Sequence, residues 1–163
     1  MFFNIYYESL EQGIYYIKDN LKKIDNDLEI RLVKKRQQSF NKNGFKANYS
    51  KAMSNILLRK NPDLIVSCSI DNIEYPLIVL EFSTAVFTKD HEQQRADNFL
   101  IPINNNCIYV KVSPIEKDSG NHGGDTNYNY LEPFSLCHKK YHEITFHINW
   151  DIQKNNKKYV EKH

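Results

Sequence analysis

The strongest constraint on the fold is a pair of apolar segments, one beginning at Leu64 and the other running from Pro76 to Phe82, with Asp71 and Asn72 between them. Asp and Asn are favourable turn residues because both tolerate a left-handed backbone. The pattern therefore predicts a β-hairpin. In such a hairpin the start of the first strand lies beside the end of the second, so we expect Asp63 and Glu81 to converge.

The expected proximity of these two acids has a chemical consequence. Two carboxylates about 4 Å apart repel each other by roughly 4 kcal/mol at an effective dielectric constant near 20, and a cation between them relieves the repulsion. Magnesium suits such a pair because it takes one or two carboxylates and keeps positions for water and for a substrate phosphate. Asp63 and Glu81 are therefore predicted ligands of Mg²⁺.

The second segment of the hairpin should be a central strand. Leu77 to Leu80 form an unbroken apolar run, which is typical of a strand buried on both faces. Pro76 lacks a backbone donor and is tolerated only at an edge, a strand start or a bulge, so the well-paired strand is expected to start at Leu77. The helix formers that follow Asp90 predict a helix, and residues 107–113 predict a strand parallel to its predecessor across that helix.

Periodicity predicts four further elements. Apolar residues at three- and four-residue spacing predict an amphipathic helix that packs on the sheet, and alternating apolar and polar residues predict two strands, the first of them at an edge. A third helix should begin after Ser50, whose hydroxyl can cap it. These elements are the helix 7–25, the edge strand 28–33, the helix 51–59 and the strand 141–150.

The same residues resemble a known family. Pro62-Asp63, an apolar hairpin, Glu81-Phe82-Ser83 and a Gln-rich helix resemble the PD-(D/E)xK nuclease superfamily, which includes many restriction endonucleases. The resemblance covers about a third of the chain. It rests on the order of strands, acidic residues and helix more than on the identity of individual amino acids. It implies an α/β, restriction-endonuclease-like fold, with a mixed central β-sheet of four or more strands flanked by α-helices.

The resemblance also implies an activity. A member of this superfamily would be a Mg²⁺-dependent endonuclease that hydrolyses phosphodiester bonds of double-stranded DNA. The closest functional class is the type II restriction enzymes, which implies a homodimer because cutting two antiparallel strands suits a twofold axis. The alternative is a catalytically inactive or truncated DNA-binding relative of the same fold.

One position departs from the family pattern, because Ser83 stands where the family has its lysine. Ser83 is expected to do no more than donate a hydrogen bond to a metal-bound water. The resemblance implies that the next helix supplies the missing group, and Lys89 is the candidate to position or deprotonate the attacking water, with Gln94 as a further catalytic candidate. Glu8 is either an acid that favours the start of the first helix or an additional metal ligand.

A basic segment points to nucleic acid. Residues 31–60 hold nine Lys or Arg and no acid, interleaved with aromatic and amide side chains. This mixture is typical of a surface that faces phosphate and bases, although a solvated surface loop is the alternative. The predicted DNA-binding residues are Lys34, Lys35, Arg36, Lys42, Lys46 and, on the helix after the hairpin, Arg95.

Length and composition set the remaining expectations. With 163 residues the chain fits one nuclease-like domain, residues 1–163. Its core is expected at 7–113 and a C-terminal extension at 114–163, and a truncated C-terminal end is the alternative to a complete extension. No apolar run approaches the roughly 20 residues of a membrane span, and the first residues lack the basic start of a secretory signal, so a cytoplasmic location is expected. Three widely spaced cysteines predict a role in packing.

Overall fold

The described residues form one mixed β-sheet of six strands flanked by helices, in a computed structural model. The structure describes residues 2–9, 17–34, 48–59, 62–82, 97–113, 131–142 and 144–149. The strands are β1 (Phe2–Tyr7), β2 (Ile30–Lys34), β3 (Leu64–Ile70), β4 (Ile73–Phe82), β5 (Ile108–Ser113) and β6 (Thr145–Asn149). The helices are α1 (Asp19–Ile24), α2 (Lys51–Arg59), α3 (Leu100–Ile103), which follows a 3-10 turn at Asp97–Phe99, and α4 (Leu131–Tyr141).

The strand order is β2-β1-β3-β4-β5-β6. β3 pairs antiparallel with both β1 and β4, whereas β2 runs parallel to β1, and β4, β5 and β6 run parallel to one another. The prediction of a mixed sheet of four or more strands flanked by helices is confirmed. So are the edge position of β2, the central position of β4 and the parallel pairing of β5 with β4.

The β3–β4 hairpin turns on two residues. Asp71 and Asn72 have φ angles of 51° and 63°, which is the left-handed pair that a type I′ turn requires. The right-handed twist of the strands favours this turn, so the hairpin prediction is confirmed with its turn residues. β4 begins at Ile73 rather than at Leu77 as predicted, because the register shifts at the point where Ser67 pairs with Pro76. A bulge there accommodates the missing donor of Pro76.

Each face of the sheet carries its own apolar core. The first core lies under α2, α3 and α4 and is built around Ile65, Val79 and Tyr109 of the strands. The second core lies on the opposite face, where Ile17 and Leu21 pack against it. The sheet therefore has helices on both faces. The three cysteines are free and buried, which confirms their predicted role in packing.

A buried polar cluster interrupts the first face at the end of the sheet near the hairpin turn. The carboxylate of Glu74 accepts hydrogen bonds from Asn4 Nδ2 at 2.9 Å, from Tyr6 Oη at 2.7 Å and from Ser67 Oγ. The Tyr6 and Tyr49 hydroxyls are 3.2 Å apart. Burial, together with these hydrogen bonds, raises the pKa of Tyr6 far above its usual value. Tyr6 is therefore a fixed donor, and Glu74 is satisfied by neutral groups.

The same cluster attaches α2 to the sheet. The backbone of Glu74 donates to the Asn48 carbonyl at 2.7 Å and accepts from the Ser50 amide at 2.9 Å. Ser50 Oγ in turn accepts from the Met53 amide at 3.2 Å, which confirms the predicted cap of this helix. The residues that enter α2 are thus fixed at the end of the sheet opposite to Asp63.

Several sequence predictions are wrong in detail. The helix predicted over 7–25 cannot begin at Tyr7, which belongs to β1, and Ile24 at its other end is 82% exposed instead of facing the sheet. Residues 10–16 of that prediction lie outside the described residues. β1 and α4 are not among the predicted elements, and Tyr141 ends α4 instead of starting the last strand. In the part of the chain described, no helix has the length and apolar character that crossing a membrane would need.

The turn of the hairpin can be tested by substitution. Asn72→Val should lower the free energy of unfolding by about 1–2 kcal/mol, because a β-branched side chain is strained at positive φ, whereas Asn72→Gly should keep it within about 0.5 kcal/mol of the wild type. Urea denaturation measures both. Tyr75→Val, at an exposed strand position nearby, is the matched control. Equal stabilities of Asn72→Val and Asn72→Gly would contradict the turn geometry.

Candidate active site at one end of the sheet

Charged side chains form a row across one end of the sheet. Leu64 pairs with Tyr7 on one side and with Leu80 on the other, so the next residues outward place Asp63 between Glu8 and Glu81. The bond from the Glu8 amide to the Asp63 carbonyl, at 3.1 Å, continues this pairing. Residues opposite each other on neighbouring strands project from the same face. The pairing therefore aligns Asp63 with Glu81 at this end of the hairpin.

The row continues across the parallel strands. Glu81 is in register with Lys111 on β5, and Lys111 is in register with His147 on β6. The complete row is thus Glu8, Asp63, Glu81, Lys111 and His147. Two residues further into the sheet the corresponding positions are Tyr6, Ile65, Val79, Tyr109 and Thr145. The row therefore borders the first core, on the face covered by α2, α3 and α4.

A hydrogen bond fixes the carboxylate of Asp63. Its Oδ2 accepts from the backbone amide of Phe82 at 2.7 Å, which holds the side chain against the end of β4. Both Asp63 and Glu81 are partly exposed. Carboxylates that are held by the backbone and still open to solvent can bind a cation without large rearrangement.

A second contact comes from the segment after β4. Asn98 Nδ2 lies 3.5 Å from Glu81 Oε1, at the long limit of a hydrogen bond. Asn98 belongs to the 3-10 turn that precedes α3. The chain therefore leaves the row at Phe82 and returns to it at Asn98. Ser83, Lys89, Gln94 and Arg95 lie between these two points and outside the described residues.

Lys111 is the residue of this site that the sequence patterns do not single out. It is only 5% exposed, although it is charged. The sequence offers one clue, because Lys111 is the only charged residue inside the segment IYVKV. Its neighbours Val110 and Val112 are buried on the other face of the strand. Alternation alone would have placed such a lysine on a solvent-facing surface. Burial on both faces of a central strand makes that explanation inadequate.

The donor set of the row fits the predicted metal. Asp63 and Glu81 offer carboxylate oxygens, and Glu8 lies next to Asp63 in an exposed position directly after β1. Mg²⁺ takes one or two protein carboxylates and fills its remaining positions with water. Within the described ranges no three His, Cys, Asp or Glu side chains form a ready-made cluster for a metal ion. Two protein carboxylates are therefore the set to consider.

The structure places one of the predicted DNA-binding residues. Lys34 ends β2, is exposed, and is in register with Tyr7, one residue short of the charged row. Because Tyr7 belongs to the second core, this register places Lys34 on the face opposite to the row, at the same end of the sheet as Asp63 and Glu81. The other predicted contacts, Lys35, Arg36, Lys42 and Lys46, lie outside the described residues.

A polar cleft between α2 and α3 is a second place where a ligand could lie. Its side chains largely bond to one another, because Asn55 Nδ2 donates to Asn105 Oδ1 at 3.1 Å and Asn105 Nδ2 donates to the Ile101 carbonyl at 2.8 Å. Arg59 and Asn104 complete its lining. The cleft lacks the carboxylates of the row, so the row is the better candidate for chemistry.

Comparison with known proteins adds no relative. No family model, no curated protein and no solved structure matches this chain.

The role of Asp63 in the fold can be separated from its charge. Asp63→Ala removes the acceptor for the Phe82 amide and should lower the free energy of unfolding by about 1–3 kcal/mol relative to Asp63→Asn, whose amide oxygen can still accept. Both variants remove the same negative charge, so their difference reports the hydrogen bond. Urea denaturation without divalent cations measures it. Equal stabilities would contradict the contact between Asp63 and Phe82.

Proposed function

We propose that this protein is a cytoplasmic, Mg²⁺-dependent endonuclease that hydrolyses phosphodiester bonds of double-stranded DNA, with a restriction-endonuclease-like fold. The observation that carries the proposal is the pairing of Leu64 with Leu80 in a central hairpin, because the next residues outward on the two strands are Asp63 and Glu81. Asp63 and Glu81 are the proposed metal ligands. The PD-(D/E)xK resemblance, now joined by a mixed sheet with helices on both faces, supports this class of activity.

Water is the only reactant that hydrolysis of the phosphodiester needs. The oxygen of a water forms a bond to phosphorus, one of the two P–O ester bonds breaks, and the products are a phosphomonoester and a hydroxyl. The water loses a proton to solvent and the leaving oxygen gains one from solvent. A bound Mg²⁺ supplies Lewis acidity toward a phosphate oxygen and acidifies a coordinated water. The protein itself holds the carboxylates in place. The Phe82 amide does this for Asp63 by donating a hydrogen bond to its carboxylate.

The electrostatics of the described surface fit a polyanionic substrate on one side of the site. Lys34 lies at the same end of the sheet, one residue from the row, and it belongs to residues 31–60, which hold nine basic residues and no acid. Cations at the edge of an acidic site position the DNA backbone, while the metal compensates the acids. Lys34 and the other predicted basic residues are therefore proposed phosphate contacts. A homodimer is proposed because it would present two such sites to the two strands.

The activity can be tested with plasmid DNA. The purified protein should convert the plasmid to discrete fragments only when Mg²⁺ is present. Asp63→Asn and Glu81→Gln should each slow cleavage by at least about 100-fold, because each removes a metal-binding carboxylate at little cost in shape. Glu132→Gln, at an exposed acid of α4, is the matched control and should cleave like the wild type.

Binding must be measured beside cleavage. Fluorescence anisotropy with a labelled duplex should show that both site variants still bind DNA. Full cleavage by both variants would contradict the metal site. If the wild type binds DNA but never cuts it, the alternative of a catalytically inactive or truncated DNA-binding relative becomes the better account. Absence of both binding and cleavage would overturn both.

A further inference from the structure

The buried lysine of the row needs an explanation. Lys111 is 5% exposed and lies on a strand whose flanking residues, Val110 and Val112, are in the second core. Moving an ammonium group out of water has a penalty of several kcal/mol even after the protein relaxes. A lysine at such a position therefore indicates nearby negative charge, a function, or both.

The register identifies the groups that face Lys111. Glu81 lies beside it on β4 and His147 beside it on β6, while Asp63 is one strand further along the same row. All of these positions project from the same face of the sheet. The lysine thus belongs to the row that holds the proposed metal ligands, and a rigid strand in the interior of the sheet carries it.

We propose that Lys111 is a catalytic residue, whose ammonium donates a hydrogen bond to a non-bridging oxygen of the scissile phosphate. It takes the place of the lysine that Ser83 replaces in the E-x-K pattern, and it reaches the site from β5 instead of from the strand that carries Glu81. This inference rests on the proposed function. The contribution of Lys111 is a positive charge at the place where negative charge increases in the transition state.

Two other roles make different predictions. If Lys111 serves only to neutralise Glu81 within the fold, an apolar side chain of similar size should replace it without loss of chemistry, because buried ion pairs are often exchanged for apolar residues at little cost. If Lys89 is the catalytic lysine, Lys89→Met should abolish cleavage and Lys111→Met should not.

The experiment combines cleavage with metal binding. In single-turnover assays with saturating Mg²⁺, Lys111→Met should cut DNA at least about 100-fold more slowly than the wild type, while Lys139→Met, at an exposed position of α4, should cut at a similar rate to the wild type. Electron paramagnetic resonance with Mn²⁺ gives a second readout. Removal of a positive charge beside Glu81 should tighten Mn²⁺ binding by about threefold or more.

The two readouts distinguish a catalytic loss from a folding defect. A variant that fails to fold loses Mn²⁺ affinity instead of gaining it, and Lys111→Gln then provides a polar, uncharged replacement for the same measurements. Cleavage by Lys111→Met within about twofold of the wild type, with unchanged Mn²⁺ affinity, would overturn the inference and leave the nuclease proposal intact. A wild type that does not cleave DNA would overturn both.

Discussion

The β3–β4 hairpin is the constraint on which the rest of the structure depends. Its two turn residues adopt a left-handed backbone, and this conformation fixes the register along the whole pair of strands. A shift of one residue would exchange the faces of every side chain in a strand. Asp63 faces the first core side by side with Glu81 only because the turn at Asp71-Asn72 and the bulge at Pro76 together set the pairing. β1 and β5 then extend the same alignment to Glu8 and Lys111.

Acidic side chains at the two ends of this hairpin have different environments. Near the turn, Glu74 is buried and receives hydrogen bonds from three neutral side chains, so it requires no cation. Its role is to hold the chain that enters α2. At the other end, Asp63 and Glu81 are half-exposed, Asp63 receives one backbone donor, and Glu81 stands beside Lys111. The closed cluster is suited to stability and the open row to binding a cation and an anionic substrate.

Much of the sheet follows from local sequence patterns, and the exceptions have physical causes. The DN turn, the apolar run before Glu81 and the serine cap at Ser50 each act within a few residues, so their consequences were predictable. β1 was not, because its segment FFNIYY includes Asn4, a polar residue that becomes buried only through its contact with Glu74, 70 positions away. The candidate role of Lys111 depends on its neighbours on β4 and β6. Periodicity along a single strand does not identify those neighbours. Lys89 lies outside the described residues, so its role stays a prediction.

We propose that Asp63 and Glu81 bind one cation between them. A crystal structure of the protein grown with Ca²⁺ would locate such an ion, because Ca²⁺ scatters strongly and accepts the same oxygen donors as Mg²⁺. A single strong peak is expected about 2.3–2.6 Å from carboxylate oxygens of both residues. Ca²⁺ bound elsewhere, with Asp63 and Glu81 contacting only protein groups, would contradict it.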